Sequence, residues 1–370
     1  MAILDADGLQ AARAAVLPLM WPWLAVSFAC TWILAITEYS VCHLCLVQTW
    51  NTEILAELQL LEMNGGGFAL AWPLMLLVAV ALAPLLIFRA RLGALLNDIA
   101  RLEPDSLGES PASDGRWPRR LIIGSTVTAL LLPWIVFILH LREPAAFATV
   151  WRTYPDQWPN SVLCALGSAL VCVILAIGVD FLLHDAIKRR SAAARWTGWA
   201  VIAVAAIGAF TAPALVGDSF AAAYARMPLV ADHWPIVSLV CAARFSLIAI
   251  VAMLLSGRSV HPQLARMAAS DGASPIEAYV RVRLPLCLPT LLWAALATAL
   301  LSLTEIAATL MVQPPEVPSL AGTLLNRIHF GRDDEVIAMA LYVMTCVGAA
   351  VALLGWISSK RRGRALSFRR

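Results

Sequence analysis

Residues 268–289 read AASDGASPIEAYVRVRLPLCLP, and this polar stretch between long apolar runs decides how the rest of the chain is interpreted. Gly272 predicts a tight turn, because glycine adopts a positive φ at little steric cost. Pro275 suits the first turn of a new helix, where its missing N–H leaves no bond unmade. The Leu284-Pro285 pair is expected to end the polar piece and to set the entry angle of the next helix. The stretch predicts a structured loop, with an ordinary amphipathic connection as the alternative.

The composition places this loop within a membrane protein. The chain is 61% hydrophobic and 14% charged, well above the apolar share of a soluble domain. Several apolar runs exceed the roughly 18 residues that cross a bilayer core. Strand alternation is absent, and lipid leaves helices as the remaining way to satisfy the backbone. We predict an all-α integral membrane protein. Its eight expected transmembrane helices lie near residues 15–37, 67–88, 121–141, 161–183, 197–217, 235–256, 286–312 and 336–358.

The distribution of Lys and Arg predicts the orientation, since cytoplasmic loops carry the positive excess. Most of the 27 Lys and Arg residues fall on one side if the N-terminus is cytoplasmic. The basic tail 359–370 follows the last predicted helix directly, which favours a topology anchor over nucleic-acid binding. We therefore expect a multi-pass protein with both termini cytoplasmic.

The chain contains an internal repeat. Residues 17–38 align without gaps to residues 284–305, and nine of these 22 positions are identical, including two prolines and a terminal Thr-Glu pair. Shared leucines are common in membrane helices, but the prolines and the Thr-Glu pair in one register are not. The same module is therefore expected twice in the chain.

The two copies of the module differ in extent. Residues 121–358 hold a complete six-helix half with its loop at 257–285, whereas residues 1–88 hold only the last two helices of a preceding half. Residues 89–120 form a polar cytoplasmic linker with a flexible segment. The first half is expected to be N-terminally truncated: a late start, a split gene whose other polypeptide supplies the missing helices, or a remnant all stay open. Residues 1–14 do not have the charge pattern of a signal peptide.

The loop carries the first family resemblance. Asp271-Gly272 and Leu284-Pro285 stand at the separation found in the cytoplasmic coupling loop of binding-protein-dependent ABC importer permeases, although Arg266-Met267-Ala268 replaces the usual EAA triplet. The chain resembles these permeases in this loop. The resemblance implies that an ATPase homodimer contacts the loop and drives a membrane subunit that has no ATPase site of its own. The coupling residues it implies are Arg266, Met267, Ala268, Asp271, Gly272, Leu284 and Pro285.

Further motifs narrow the resemblance. Residues 303–310 (LTEIAATL), Pro314-Pro315 and Ala243-Arg244-Phe245 are similar to segments of iron(III)-type permeases that fuse two halves in one chain. The resemblance implies the type I ABC importer permease fold, a bacterial inner-membrane location, a periplasmic substrate-binding protein as partner, and iron(III) as the expected substrate. Thiamine, polyamine, phosphonate and sulfate importers share the architecture and stay open as alternatives.

Ionisable residues in or near the predicted helices are candidates for a translocation path, because polar groups at membrane depth are costly. Arg244 lies inside a helix, where structural pairing and a path role are both open. Glu38 and Glu305 end equivalent helices and could meet a cation or act as a gate, or could simply be solvated. The candidate path residues are Arg244, Thr304, Glu305, Thr37 and Glu38. Asp180 and His184 are expected to mark an interface.

Cofactor chemistry is not expected from this sequence. Of the eight cysteines, most lie in apolar runs and behave as small hydrophobes. Cys42-His43-Leu44-Cys45 could suit a disulfide or a weak metal site, but the second copy lacks these residues. No phosphate-cradling Gly-Lys-Thr loop occurs, so any ATP chemistry belongs to a partner. An intramembrane enzyme or a proton-coupled secondary carrier is the alternative class, and the near absence of Asp and Glu from the spans argues against a carrier.

Overall fold

Helices make up the fold. The computed structural model describes residues 17–39, 42, 45, 47–60, 71–80, 116–189, 191–258 and 260–367. Within these ranges there is no β-strand, so the predicted all-α class is confirmed. The predicted segment 1–14 and most of the predicted linker 89–120 lie outside the described residues.

The helices are numbered in chain order. Those before residue 190 are α1 (Leu17–Thr37), α2 (Trp50–Leu60), α3 (Ala71–Val80), α4 (Arg116–His140), α5 (Ala146–Thr153) and α6 (Gln157–Arg189). Those that follow are α7 (Ala192–Phe210), α8 (Pro213–Tyr224), α9 (Pro228–Ala231), α10 (Trp234–Arg258), α11 (Pro262–Ser270), α12 (Pro275–Ala278), a π-helical segment (Tyr279–Arg283), α13 (Leu284–Thr304), α14 (Ala307–Val312), α15 (Leu320–His329) and α16 (Asp333–Ser367).

Six stretches of helix in the described part are long and apolar enough to cross a membrane, which indicates a multi-pass membrane protein. They are Ile123–His140, Gln157–His184, Ala192–Phe210, Trp234–Arg258, Pro275–Thr304 and Asp333–Ser358. These six coincide with the helices predicted between residues 121 and 358. The described apolar stretches of the other two predicted helices, Ser27–Thr37 and Ala71–Val80, are shorter. The predicted number of eight and the predicted orientation stay predictions.

The centre of the fold is a bundle of α6, α7, α10 and α13, in which α6 and α10 pack along their lengths and the other two contact both. Small side chains such as Ala176, Ala242 and Ala249 are fully buried at these contacts. A side chain on Gly208 would place its Cβ 2.3 Å from the Ala243 carbonyl oxygen. Close backbone approach through small residues is how helices associate in lipid, where burial of apolar surface gives no driving force.

Two predicted helices are broken in the structure. The span predicted at 197–217 ends at Phe210, because Ala212 is extended before Pro213, which starts α8; the residue before a proline avoids the helical conformation. The span predicted at 286–312 ends at Thr304. Glu305 is extended, and the chain restarts as α14.

The internal repeat has a structural counterpart. Helices α1 and α13 each contain 21 residues, and they begin and end at aligned positions. The aligned residues Tyr39 and Ile306, which follow the two helices, lie in one buried cluster together with Leu74 of α3 and Ala214 of α8. The ends of the two related helices therefore contribute to a shared core.

Candidate functional site

The connection between α10 and α13 is an ordered helical structure, here called the α10–α13 loop, consisting of α11, α12 and the π-helical segment. Helix α11 projects from the bundle, and the Met267 side chain is 64% exposed. Gln263, Met267, Ser270 and Asp271 line an open surface along α11 and the start of the turn that follows it. Ala268 is half-buried in the same helix. The predicted coupling residues Met267 and Asp271 therefore lie on an accessible face.

The turn after α11 has the geometry that the sequence predicts. Gly272 has a φ of 82°, in the left-handed region that favours glycine. Ser274 then caps α12: its side chain accepts from the Glu277 N–H at 3.3 Å, and the Glu277 carboxylate accepts from the Ser274 N–H at 2.9 Å. Pro275 occupies the first turn. This reciprocal capping fixes where the second helical piece starts.

The passage from the loop into the membrane differs from the prediction. The chain does not break at Leu284-Pro285. Instead the π-helical segment runs directly into α13, with the Leu284 N–H donating to the Tyr279 carbonyl. Pro285 has no N–H to donate to the preceding turn. The π-helical turn, which is wider than an α-helical turn, lies immediately before the Leu284-Pro285 pair. Short π-helical turns are frequent at functional sites.

Asp180 of α6 holds the π-helical segment against the bundle. Its carboxylate accepts from Arg283 Nε at 2.8 Å, from Arg283 Nη2 at 2.7 Å and from the Tyr279 hydroxyl at 3.0 Å. The exposed fractions of the Asp180 and Arg283 side chains are 2% and 15%. A two-pronged arginine–carboxylate contact combines charge with fixed geometry. The loop is thus clamped to α6 at a buried point.

The clamp extends to the end of α10. Arg283 Nη1 donates to the Gly257 carbonyl oxygen at 2.9 Å. A Cβ at position 257 would lie 2.2 Å from Arg283 Nη2 and 2.9 Å from Asp180 Oδ1. Only a glycine leaves space for the guanidinium here. Phe181 packs edge-on against the Tyr279 ring, and the His184 ring lies 6.4 Å from it. Asp180 and His184 therefore lie where α6 contacts the π-helical segment, and their expected role at an interface stays a prediction.

Sequence reasoning missed three members of this group: Gly257, Tyr279 and Arg283. Tyr279 and Arg283 are four residues apart, a spacing that puts side chains on one helix face, and this was the available signal. Their target Asp180 is 99 and 103 positions away from them, so no local pattern could pair them.

A second buried charge pair joins α10 to the break after α13. Arg244 Nη1 donates to Glu305 Oε2, and the side chains are 9% and 10% exposed. Glu305 Oε1 also accepts from the Ala308 N–H at 3.1 Å. Arg244 Nε has no hydrogen-bond partner among the described residues. The structure thus gives Arg244 the structural pairing that was one of its two predicted roles, and it places Glu305 in the interior.

Glu305 also borders a small cavity lined by polar and apolar residues. Its volume is about 20 Å³, which is room for roughly one water molecule. The polar residues that line it are Asn160, Ser161, Ser302, Glu305, Thr309, Gln313 and Ser319. The cavity is too small for thiamine, a polyamine, a phosphonate or sulfate.

The remaining path candidates are spread out. Thr304 is exposed, and its hydroxyl donates to the Leu301 carbonyl at 3.1 Å. Thr37 is buried, and its hydroxyl donates to the Ile33 carbonyl at 2.8 Å. Glu38 is half-buried at the end of α1. The structure therefore brings Arg244 and Glu305 together, but among the described residues it shows no shared site for the two Thr-Glu pairs.

A third buried acid lies at the same end of the bundle as Glu305. Glu335 accepts from the Tyr154 hydroxyl and from Arg332 Nη1, each at 2.9 Å. Burial of the phenol, together with its hydrogen bond to Glu335, raises the pKa of Tyr154 above its ordinary value. Arg327 stacks over the Tyr154 ring at 5.0 Å. These contacts fasten α5 and α15 to the start of α16.

The structure offers no support for a metal site in its described part. No group of three His, Cys, Asp or Glu side chains there could hold a metal ion. Cys42 and Cys45 are free thiols, and His43 lies outside the described residues. Comparison of the chain with models of known protein families and with curated protein sequences finds no match.

Proposed function

We propose that the chain is the membrane-spanning permease subunit of an ABC importer, driven by a separate ATPase that contacts the α10–α13 loop. One observation carries the proposal: α11 is an exposed part of the loop, and the loop is clamped to α6 through Asp180 and to α10 through Arg283. A connection that served only to join two helices would need neither feature. An ATPase that drives this chain needs both features: an exposed face to bind, and a rigid connection from that face to the helices that it moves.

The charge pairs support this class over a proton-coupled carrier. A carrier needs a buried acid that can gain and lose a proton. Among the described residues, the acids Asp180, Glu305 and Glu335 are at most about a tenth exposed, and each faces an arginine. A proton added to Asp180 or Glu305 would leave a buried arginine without its counter-charge, which is costly. Arg332, which faces Glu335, is 58% exposed, so the same cost does not apply there.

The repeat supports a two-part transport architecture. Repeat-built transporters place their pathways where the related halves meet. Here the residues that follow α1 and α13 share one core cluster, close to the buried pair and its cavity. We place the pathway at this junction, with Glu305 as its candidate gate residue, and iron(III) as the substrate that the sequence resemblance favours.

Site-specific photo-crosslinking tests the proposed function. A benzophenone side chain at Met267 in α11 should crosslink to an ATP-binding polypeptide when the chain is expressed in its native host. The matched control is the same group at Phe330, which is 76% exposed and lies at the opposite end of the bundle. An ATP-binding partner captured from position 267 and not from 330 supports the proposal. The proposal is refuted if position 267 captures no ATP-binding partner and the purified complex hydrolyses no ATP.

A further inference from the structure

We propose that Asp180 is the positioning residue through which movement of the α10–α13 loop reaches the transmembrane bundle; this inference rests on the proposed function. Asp180 belongs to α6, which is 33 residues long and packs against α7, α10 and α13. It is the point where the loop is bound to the central helix of the bundle. No other described contact joins the loop to α6 with charge.

The geometry around Asp180 joins three elements at once. Arg283 reaches from the π-helical segment to Asp180 with two nitrogens and to the Gly257 carbonyl of α10 with a third. Tyr279, one turn earlier, donates to the same carboxylate. Both ends of the segment are therefore fixed to one acid. A displacement of the π-helical segment must either carry α6 and α10 with it or break a buried charge pair.

The connection between α11 and α12 favours movement of the bundle over breakage of the charge pair. Gly272 and the Ser274–Glu277 cap set the angle between α11 and α12, and α12 continues without interruption through the π-helical segment into α13. Helix α11 ends at Ser270 and packs against the π-helical segment. Force applied to α11 thus reaches the helical path that begins at Pro275 and is clamped where it enters the bundle. The clamp converts a push on a surface helix into motion of the spanning helices.

The test distinguishes a role of Asp180 in transmitting movement from a role in folding of the chain. Replacing both charges by apolar residues of similar size, Asp180→Leu with Arg283→Met, removes the clamp without leaving a lone buried charge, a change that proteins often tolerate. The complex, tagged on this chain and purified from the native host, carries spin labels at Leu229 and Phe330, both at the end of the bundle opposite the loop. The accessible cysteines of the described part are replaced first; they are Cys42, Cys45 and Cys346. The distance between the labels is measured without nucleotide and after trapping with ATP and vanadate.

We expect the wild-type complex to show a distance change on trapping. The double variant should keep its folded yield and its crosslink from Met267 to the ATPase, while the distance change falls at least tenfold. A double variant that keeps the full distance change would overturn the inference and leave the proposed function standing. A wild-type chain that binds no ATPase would overturn the proposed function, and the inference with it.

A second comparison serves if the double variant does not fold. Tyr279→Phe removes one hydroxyl donor to Asp180, and Tyr154→Phe removes an equally buried hydroxyl donor to Glu335 at the other end of the bundle. We expect Tyr279→Phe to reduce the distance change about threefold and Tyr154→Phe to leave it unaltered. Equal behaviour of the two variants would show that the Asp180 group acts only in packing.

Discussion

Removing the charge of Glu305 should destabilise the bundle strongly. In Glu305→Gln the Arg244 guanidinium loses its counter-charge, although its side chain is only 9% exposed and its Nε already lacks a partner among the described residues. The amide has one oxygen to replace two acceptors, so either Arg244 or the Ala308 N–H is left unpaired. Breaking a buried pair from one side costs about 3–5 kcal/mol. Glu316→Gln, at an exposed acid nearby, should cost less than about 0.5 kcal/mol.

The assay is unfolding of the purified chain in mixed micelles of increasing SDS content, followed by tryptophan fluorescence. The double replacement Arg244→Met with Glu305→Leu should recover most of the lost stability, because no unpaired charge remains. The reasoning would be refuted by a Glu305→Gln variant that unfolds within about 1 kcal/mol of the wild type, since a pair that matters so little must be open to water.

Three further outcomes are expected. Gly272→Val should leave the chain folded and uncouple transport, because a branched residue resists the left-handed turn by about 1–2 kcal/mol; Gly331→Val, at a φ of 64° outside the loop, should have the same backbone cost and keep coupling, as ATP-driven uptake will show. Gly257→Ala should lower the thermal midpoint, measured by fluorescence, since its Cβ would meet Arg283 at 2.2 Å; an unchanged midpoint contradicts this close approach. A cysteine at Met267 should react with an impermeant thiol reagent only from the cytoplasmic side, and one at Phe330 only from outside; the reverse pattern would invert the predicted topology.

Much of the fold could be predicted from local properties of the sequence. Uninterrupted apolar runs predicted the six spans between residues 121 and 358, and the conformations of Gly272 and Pro275 followed from their covalent structures. The predictions failed where a helix ends inside an apolar run. Pro213 signalled one such break by its effect on Ala212, but hydrophobicity masked it. The break at Glu305 carries no proline, and the Glu305 side chain both accepts from the Ala308 N–H and pairs with Arg244 of α10.

The candidate site was less predictable, for a physical reason. The exposed face of α11 could be located from its polar composition. The clamp could not, because Asp180 and Arg283 are 103 positions apart and meet only after the helices between them in sequence have packed. Which acid an arginine faces depends on helix rotation, and rotation is set by the fit of small residues such as Ala176 and Ala249 over the whole contact.

The separation of Arg244 from Glu305 has a consequence for how the protein is made. The two residues are 61 positions apart, and synthesis adds about 5–20 residues per second. Arg244 therefore leaves the ribosome roughly 3–12 seconds before Glu305 does. During that interval a central arginine opposes membrane insertion by about 2.5–3.5 kcal/mol. The apolar residues that surround it in α10 must carry the helix into the bilayer unaided, and the bundle can close only when α13 arrives.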